Sequence, residues 1–171
     1  MCGIIGIISS KEVSSRILNS LKKLEYRGYD SAGIATLVNG NINEVKCEGR
    51  VDVLEKDISK FNLKGDIGIG HVRWATHGKP SKINAHPHSS EQVSVVHNGI
   101  IENSTILKKL LEKKGYLFKS QTDTEVIAHL VTEYLKKNSL KNTIIKVLKK
   151  LHGSFALGII FKDQNDLMVG A

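Results

Sequence analysis

Short apolar runs alternate along this chain with stretches whose apolar residues return every three or four positions. Gly3 to Ile8 is short, apolar and isoleucine-rich, the pattern of a buried strand. Val13, Ile17, Leu21 and Leu24 then recur at helical spacing. Ser9 and Glu12, three residues apart, form a capping-box signature ahead of that helix, and Gly28 is its expected stop. Ile34 to Val38 and Ile42 to Cys47 flank Asn39-Gly40, a strong two-residue hairpin signal. Val53, Leu54, Ile58 and Phe61 suggest a weaker helix over 51–61. Ile67 to Trp74 reads as a strand, with Gly68 and Gly70 marking close backbone approach.

Residues 75–91 have no period and hold both prolines and three of the seven histidines. A loop of that length inside a domain is usually a lid or a binding loop. Val93 to His97 is another short strand, ending at Asn98-Gly99. Ile106, Leu107, Leu110 and Leu111 predict a helix that Gly115 stops. Thr122 and Glu125 give a second capping box before Ile127, Leu130, Val131 and Tyr134. Ser139 caps a third helix through Leu140, Ile144, Leu148 and Leu151. Gly153 to Phe161 and Asp166 to Val169 read as strands joined by a hairpin over 162–165. Strands come first and last with helices between, an α+β arrangement and not a regular βαβ alternation. The final residues, Met168 to Ala171, stop inside a strand-like run, as expected of a domain cut short.

Composition narrows the class. A chain of 171 residues, 40% hydrophobic and 25% charged, is long enough for one domain with a real core and unlike a disordered or fibrous sequence. No apolar run approaches the roughly 20 residues of a membrane span, and the first apolar run has neither the basic flank nor the cleavage site of a secretory signal. Two cysteines, Cys2 and Cys47, exclude a disulfide scaffold, so a cytoplasmic location is expected. The net charge of +8 comes from lysines paired along the polar sides of the helical patterns (Lys22-Lys23, Lys108-Lys109, Lys149-Lys150). Nucleic-acid readers concentrate charge on one face and favour arginine. A solvated surface is the better reading, with no nucleic-acid and no membrane partner. A basic binding module is the alternative from another class, and it predicts salt-dependent affinity without turnover.

Three places could carry chemistry. Cys2 is either a small buried hydrophobe or, once Met1 is removed, a nucleophile whose own α-amine is its base. Asn98-Gly99 is either a tight turn or a pair of N–H donors for a developing oxyanion. His71 to Gly78 (HVRWATHG) places Arg73 among small donors suited to a carboxylate; the plainer reading is a surface arginine beside a core Trp74. Asp123 is a helix N-terminal acid or a partner for a substrate ammonium. His71, His77, His86 and His88 lack a matched cysteine or carboxylate set, so no metal and no cofactor is read from them.

Taken together, Met1-Cys2-Gly3-Ile4-Ile5-Gly6, Leu24 to Gly33 (LEYRGYDSAG), HVRWATHG, Asn84 to His88 (NAHPH), Val96 to Asn103 (VHNGIIEN) and Thr122 to Glu125 (TDTE) resemble the class II glutamine amidotransferases. Tyr29 and Trp74-Ala75-Thr76-His77 make the chain most similar to the glutaminase domain of the glutamine–fructose-6-phosphate aminotransferase (isomerizing) branch. The resemblance implies a four-layer αββα sandwich of antiparallel sheets of the N-terminal nucleophile hydrolase type. It implies that Cys2 attacks the side-chain amide of L-glutamine, with Asn98 and Gly99 holding the oxyanion. Arg73, helped by Thr76 and His77, would bind the α-carboxylate and Asp123 the α-ammonium, under a loop bearing Trp74. Arg27 and His86 are expected in supporting roles. Residues 1–171 would form the type 2 amidotransferase domain, shortened at its end. The sugar-phosphate isomerase domains through which fructose 6-phosphate and homo-oligomer formation enter in that branch are not in this sequence.

Overall fold

Two four-stranded antiparallel sheets lie face to face, each covered on its outer side by helices. The computed structural model describes residues 2–75, 78–165 and 168–171. The first sheet has the order β1 (Gly3–Ile8), β4 (Ile67–Arg73), β2 (Ser31–Val38), β3 (Asn41–Glu48). The second is β5 (His88–Ser89), β6 (Val93–Ile101), β7 (Gly153–Phe161), β8 (Met168–Gly170). Helices α1 (Ser14–Leu24) and α2 (Val51–Ile58) cover the first; α3 (Ser104–Glu112), α4 (Thr124–Leu135) and α5 (Leu140–Lys150) cover the second. The α+β, αββα arrangement matches the expectation.

Period-2 alternation builds three apolar layers. Along β2, Ala32 and Ile34 face α1 and α2, while Ala35 and Leu37 face the other sheet. Ile67 and Ile69 of β4 meet Val96 of β6 and Ile160 of β7 between the sheets. Val95, Leu157, Ile159 and Phe161 face Ile127 and Val131 of α4. Each fully buried valine, leucine, isoleucine or phenylalanine among them contributes about 1.5–3 kcal/mol. Gly68 and Gly70 have the role their sequence suggested: a Cβ on Gly70 would stand 2.5 Å from Ile17, and one on Gly68 2.7 Å from the same side chain. Their bareness lets α1 lie against β4.

Several boundaries differ from the sequence reading. Neither predicted capping box forms. Ser9 Oγ accepts from Arg16 and from the Lys11 N–H, and Glu12 instead accepts from Ser14 Oγ at 2.9 Å, so α1 starts five residues after Ser9. The Glu125 carboxylate turns outward to Lys119 N–H, Ser120 N–H and Ser120 Oγ, bracing the segment before α4. Ser139 does cap, accepting from Asn142 N–H. The second helix ends at Ile58 rather than residue 61, and β2 begins three residues before Ile34. The strand expected to stop at His97 runs on to Ile101, paired throughout with β7. Asn98-Gly99 is therefore not a tight turn. Of the last predicted strand, residues 166 and 167 lie outside the described residues and Met168–Gly170 pairs with β7. Among the described residues, no helix is long and apolar enough to cross a membrane.

Candidate active site

The antiparallel register brings the start of the chain to the end of β4. Gly3 stands opposite Val72, which sets Cys2 beside Arg73 and Trp74. The Trp74 N–H donates to Cys2 Sγ at 3.2 Å, and the thiol reaches the Trp74 carbonyl at 3.5 Å. Two further donors converge on the Cys2 carbonyl oxygen: Arg27 Nε at 3.0 Å and Asn98 Nδ2 at 3.1 Å. These tie Cys2 to the turn after α1 and to the opposite sheet. Cys47, by contrast, is buried in β3, where burial pushes its thiol pKa up. It takes the core reading.

Arg73 is almost completely buried at the end of β4. Its Nη2 donates to the Gly78 carbonyl at 3.1 Å, and Nη1 lies 3.8 Å from Asp30 Oδ1. Asp30 also accepts from Ser31 Oγ and from the Ala75 N–H, while its own N–H donates to the Arg73 carbonyl. It clamps both sides of the Arg73–Ala75 segment. Gly28 makes the approach possible, since a Cβ there would lie 2.5 Å from the Arg73 carbonyl carbon. Trp74 is 46% exposed and meets Tyr29 edge-on, ring centres 5.2 Å apart. That exposure excludes the alternative of a core tryptophan beside a surface arginine. The burial runs the other way round.

From the second sheet come Asn98, Gly99 and, at the start of α4, Asp123. Gly99 holds φ +124°, and a Cβ there would fall 2.1 Å from the Ser154 carbonyl oxygen, so no other residue fits. Asp123 Oδ2 accepts the Ile101 N–H at 2.8 Å, and Oδ1 lies 3.7 Å from His97 Nδ1. Cys2, Arg73, Trp74, His86, Gly99 and Asp123 all line one cavity. Its volume, about 20 Å³, is room for a water molecule, so an amino acid enters only if the walls part. Thr76 and His77 lie outside the described residues. A cavity of about 630 Å³ elsewhere, against α4 and residues 114–119, contains none of the sequence-predicted site residues.

Beneath the site lies a buried histidine layer; from sequence His71, His86 and His88 were weighed as metal ligands, and His86 also for a supporting role. His86 stacks on His71 with ring centres 4.2 Å apart, and His88 meets His86 edge-on at 4.8 Å. Thr124 Oγ1 bridges His86 Nε2 at 2.7 Å and His97 Nδ1 at 2.9 Å; Thr122 Oγ1 reaches His88 Nε2 at 2.9 Å. Burial holds His71 and His88 down to about 3 and pushes His86 the same way, so these three rings are neutral near pH 7. Among the described residues no group of three or more histidines, cysteines or carboxylates is arranged to hold a metal ion. Thr122 was read from sequence only as a helix cap, and Thr124, His97 and Asp30 were not singled out. Their only signal was membership of the TDTE, VHNG and YRGYDSAG blocks.

The family model described as a glutamine amidotransferase domain matches residues 71–171. The chain belongs to that family. As a glutamine amidotransferase domain it is 52% identical over 172 residues to the glutamine–fructose-6-phosphate aminotransferase (isomerizing) of Bradyrhizobium diazoefficiens, covering 100% of this chain and 28% of that protein. It is 53% identical to the enzyme of the same name from Clostridium acetobutylicum, covering 99% of this chain and again 28% of the relative. The domain thus spans little more than a quarter of the curated relatives it matches. Among solved structures it resembles the glutamine phosphoribosylpyrophosphate amidotransferase of B. subtilis, with a TM-score of 0.80, 31% identity and coverage of 94% of this chain and 35% of that one. The shared fold is the N-terminal nucleophile hydrolase sandwich of the class II amidotransferases.

Proposed function

We propose that this amidotransferase domain hydrolyses the side-chain amide of L-glutamine through a covalent γ-glutamyl thioester on Cys2. One observation carries the reading: a cysteine from the start of the chain, a buried arginine, a carboxylate and a glycine with φ +124° meet on one cavity although they come from four separate segments. With Met1 removed, the Cys2 α-amine takes the thiol proton, directly or through a water, as Sγ bonds to the amide carbon. The carbonyl π pair moves onto oxygen, where the Asn98 side-chain amide and the Gly99 N–H oppose the charge. The C–N bond then breaks and the proton held on the amine goes to the departing ammonia. Water attacks the thioester in the same way and releases glutamate and the thiol.

Substrate selection follows from charge at both ends of the amino acid. Arg73, a planar cationic fork, takes the α-carboxylate. Asp123 takes the α-ammonium. Thr76 and His77 of HVRWATHG are assigned to the carboxylate end on sequence alone, and Trp74 to the wall that opens for entry. His86 and Arg27 act from behind, His86 within the histidine layer and Arg27 on the Cys2 carbonyl. In a longer chain that carries this domain, the ammonia would aminate fructose 6-phosphate, the substrate in the names of the relatives reported above. The test is glutamate release from L-glutamine by Met1-free protein. Turnover that disappears in Cys2→Ala supports the proposal, and turnover that persists there rejects it.

A further inference from the structure

We infer that His71 is a positioning residue for the oxyanion-binding amide: its Nε2–H holds Asn98 Oδ1, and this turns the Asn98 NH2 group toward Cys2 and the reacting carbonyl. The inference deepens the proposed glutaminase reading and rests on it. Three contacts set the protons. His71 Nε2 lies 3.0 Å from the His97 carbonyl oxygen and 2.9 Å from Asn98 Oδ1. A carbonyl oxygen only accepts, so His71 Nε2 carries the hydrogen. The Asn98 atom facing it must then be the amide oxygen. At the other end of the same amide, its neighbour at 3.1 Å is the Cys2 carbonyl oxygen. That oxygen also only accepts, so the atom facing it must be the amide NH2. Both ends demand the same rotamer.

Reversing the arrangement is costly at each position. An Asn98 flipped by 180° would set its oxygen against the Cys2 carbonyl and its NH2 against the His71 N–H. A His71 protonated on Nδ1 would bury a donor with no hydrogen-bond partner among the described residues, at a cost of about 1–3 kcal/mol, and would set the Nε2 lone pair against two oxygens. The fully buried ring, stacked on His86, has no room to swing away. An amide NH2 has two hydrogens. One goes to the Cys2 carbonyl, which seats the residue bearing the nucleophile; the other is the donor that the oxyanion requires. A single buried imidazole thus connects β4 of one sheet to β6 of the other at the point where charge develops.

The test compares His71→Leu and His71→Gln in the full chain, Met1 removed. Leucine removes the donor; the glutamine amide N–H extends about as far as Nε2 and restores it. The expected result for His71→Leu is a fall in glutaminase kcat approaching the roughly 10²–10³-fold cost of a lost oxyanion donor, with KM for glutamine within about twofold. His71→Gln should recover at least tenfold of that loss. Alkylation of Cys2 by iodoacetamide, a displacement that builds no oxyanion, should fall at least tenfold less than kcat does, since Arg27 still holds the Cys2 carbonyl. A His71→Leu protein with full kcat, or one whose loss falls equally on alkylation and KM, overturns the assignment. A readout that needs no variant is ¹⁵N NMR of the histidine rings: His71 as the neutral Nε2–H tautomer is expected, and the Nδ1–H tautomer overturns it. If the wild-type chain turned over no glutamine, the glutaminase reading would fall and this inference with it. Wild-type turnover beside an unaffected His71→Leu overturns the inference alone.

Discussion

Arg27 donates from Nε to the carbonyl oxygen of Cys2 at 3.0 Å, a contact that spans 25 positions of sequence. It comes from the 3₁₀ turn after α1 and, together with Asn98 on the same oxygen, fixes the backbone of the proposed nucleophile. A hydrogen bond with a charged partner is worth about 1.5–3 kcal/mol. Arg27→Met, which keeps the stem and removes the donor, should therefore lower glutaminase kcat/KM by roughly 10- to 100-fold, with Arg27→Lys partly restoring it. Steady-state kinetics on the three proteins checks this, and an unaffected Arg27→Met would remove Arg27 from the supporting set.

Arg73 makes a sharper prediction because its guanidinium is both buried and assigned to the substrate. Arg73→Ala deletes charge-assisted bonds to the α-carboxylate, again about 1.5–3 kcal/mol each, so KM for glutamine should rise at least tenfold. An unchanged KM would reject the role. The same change leaves Asp30 facing no guanidinium, and thermal stability should fall as well.

Gly28 tests whether the segment between Arg73 and Ala75 must lie where it does. A Cβ there would sit 2.5 Å and 2.6 Å from the Arg73 carbonyl carbon and oxygen. Backbone must shift to accept it, so Gly28→Ala should weaken glutamine binding while leaving far-UV circular dichroism near wild type. Gly170→Ala, where an added Cβ meets nothing within 4 Å, is the control and should change neither.

Most of the individual strands and helices could be read from period-2 and helical spacing, because burial imposes those periods on Ile34, Ile69, Ile127 and their neighbours; their stacking into four layers came only through the family resemblance. The misreadings came where a polar side chain had a tertiary partner. Glu125 resembles a capping-box acid by position, yet the chain at Lys119 and Ser120 offers it three donors. Asn98-Gly99 resembles a hairpin turn, yet it lies within β6, paired with Ala156 and Phe155 of β7, and only a glycine fits against the Ser154 carbonyl. Of the site, Cys2, Arg73, Asn98, Gly99 and Asp123 were legible through motif blocks. The contacts of His71, Thr124 and Asp30 were not, since they join residues 26 to 45 positions apart, that of His71 from one sheet to the other.

The histidine layer makes folding acid-sensitive. Unfolded, these imidazoles take a proton near pH 6.5; folded, burial postpones that to about pH 3 for His71 and His88, and His86 moves the same way. Below pH 6.5 the unfolded chain therefore binds more protons than the folded one. Stability is complete above that pH and is lost as pH falls toward 3, by up to about 1.4 kcal/mol per pH unit for each histidine. Glu125, held near 2 by His129 at 3.6 Å and by donors from Lys119 and Ser120 that together outweigh its burial, adds to the loss only below its ordinary range. The midpoint of urea unfolding should drop steadily from pH 6.5 to 5.0. A constant midpoint over that interval would contradict the neutral, buried layer.

The most direct test of the central claim is intact-protein mass spectrometry of the Met1-free chain, acid-quenched during turnover of L-glutamine. The account predicts a population heavier by one γ-glutamyl group, attached at Cys2, released by hydroxylamine and missing from Cys2→Ala and from protein that retains Met1. Glutamate production with no adduct under any quench, or an adduct on a residue other than Cys2, would contradict it.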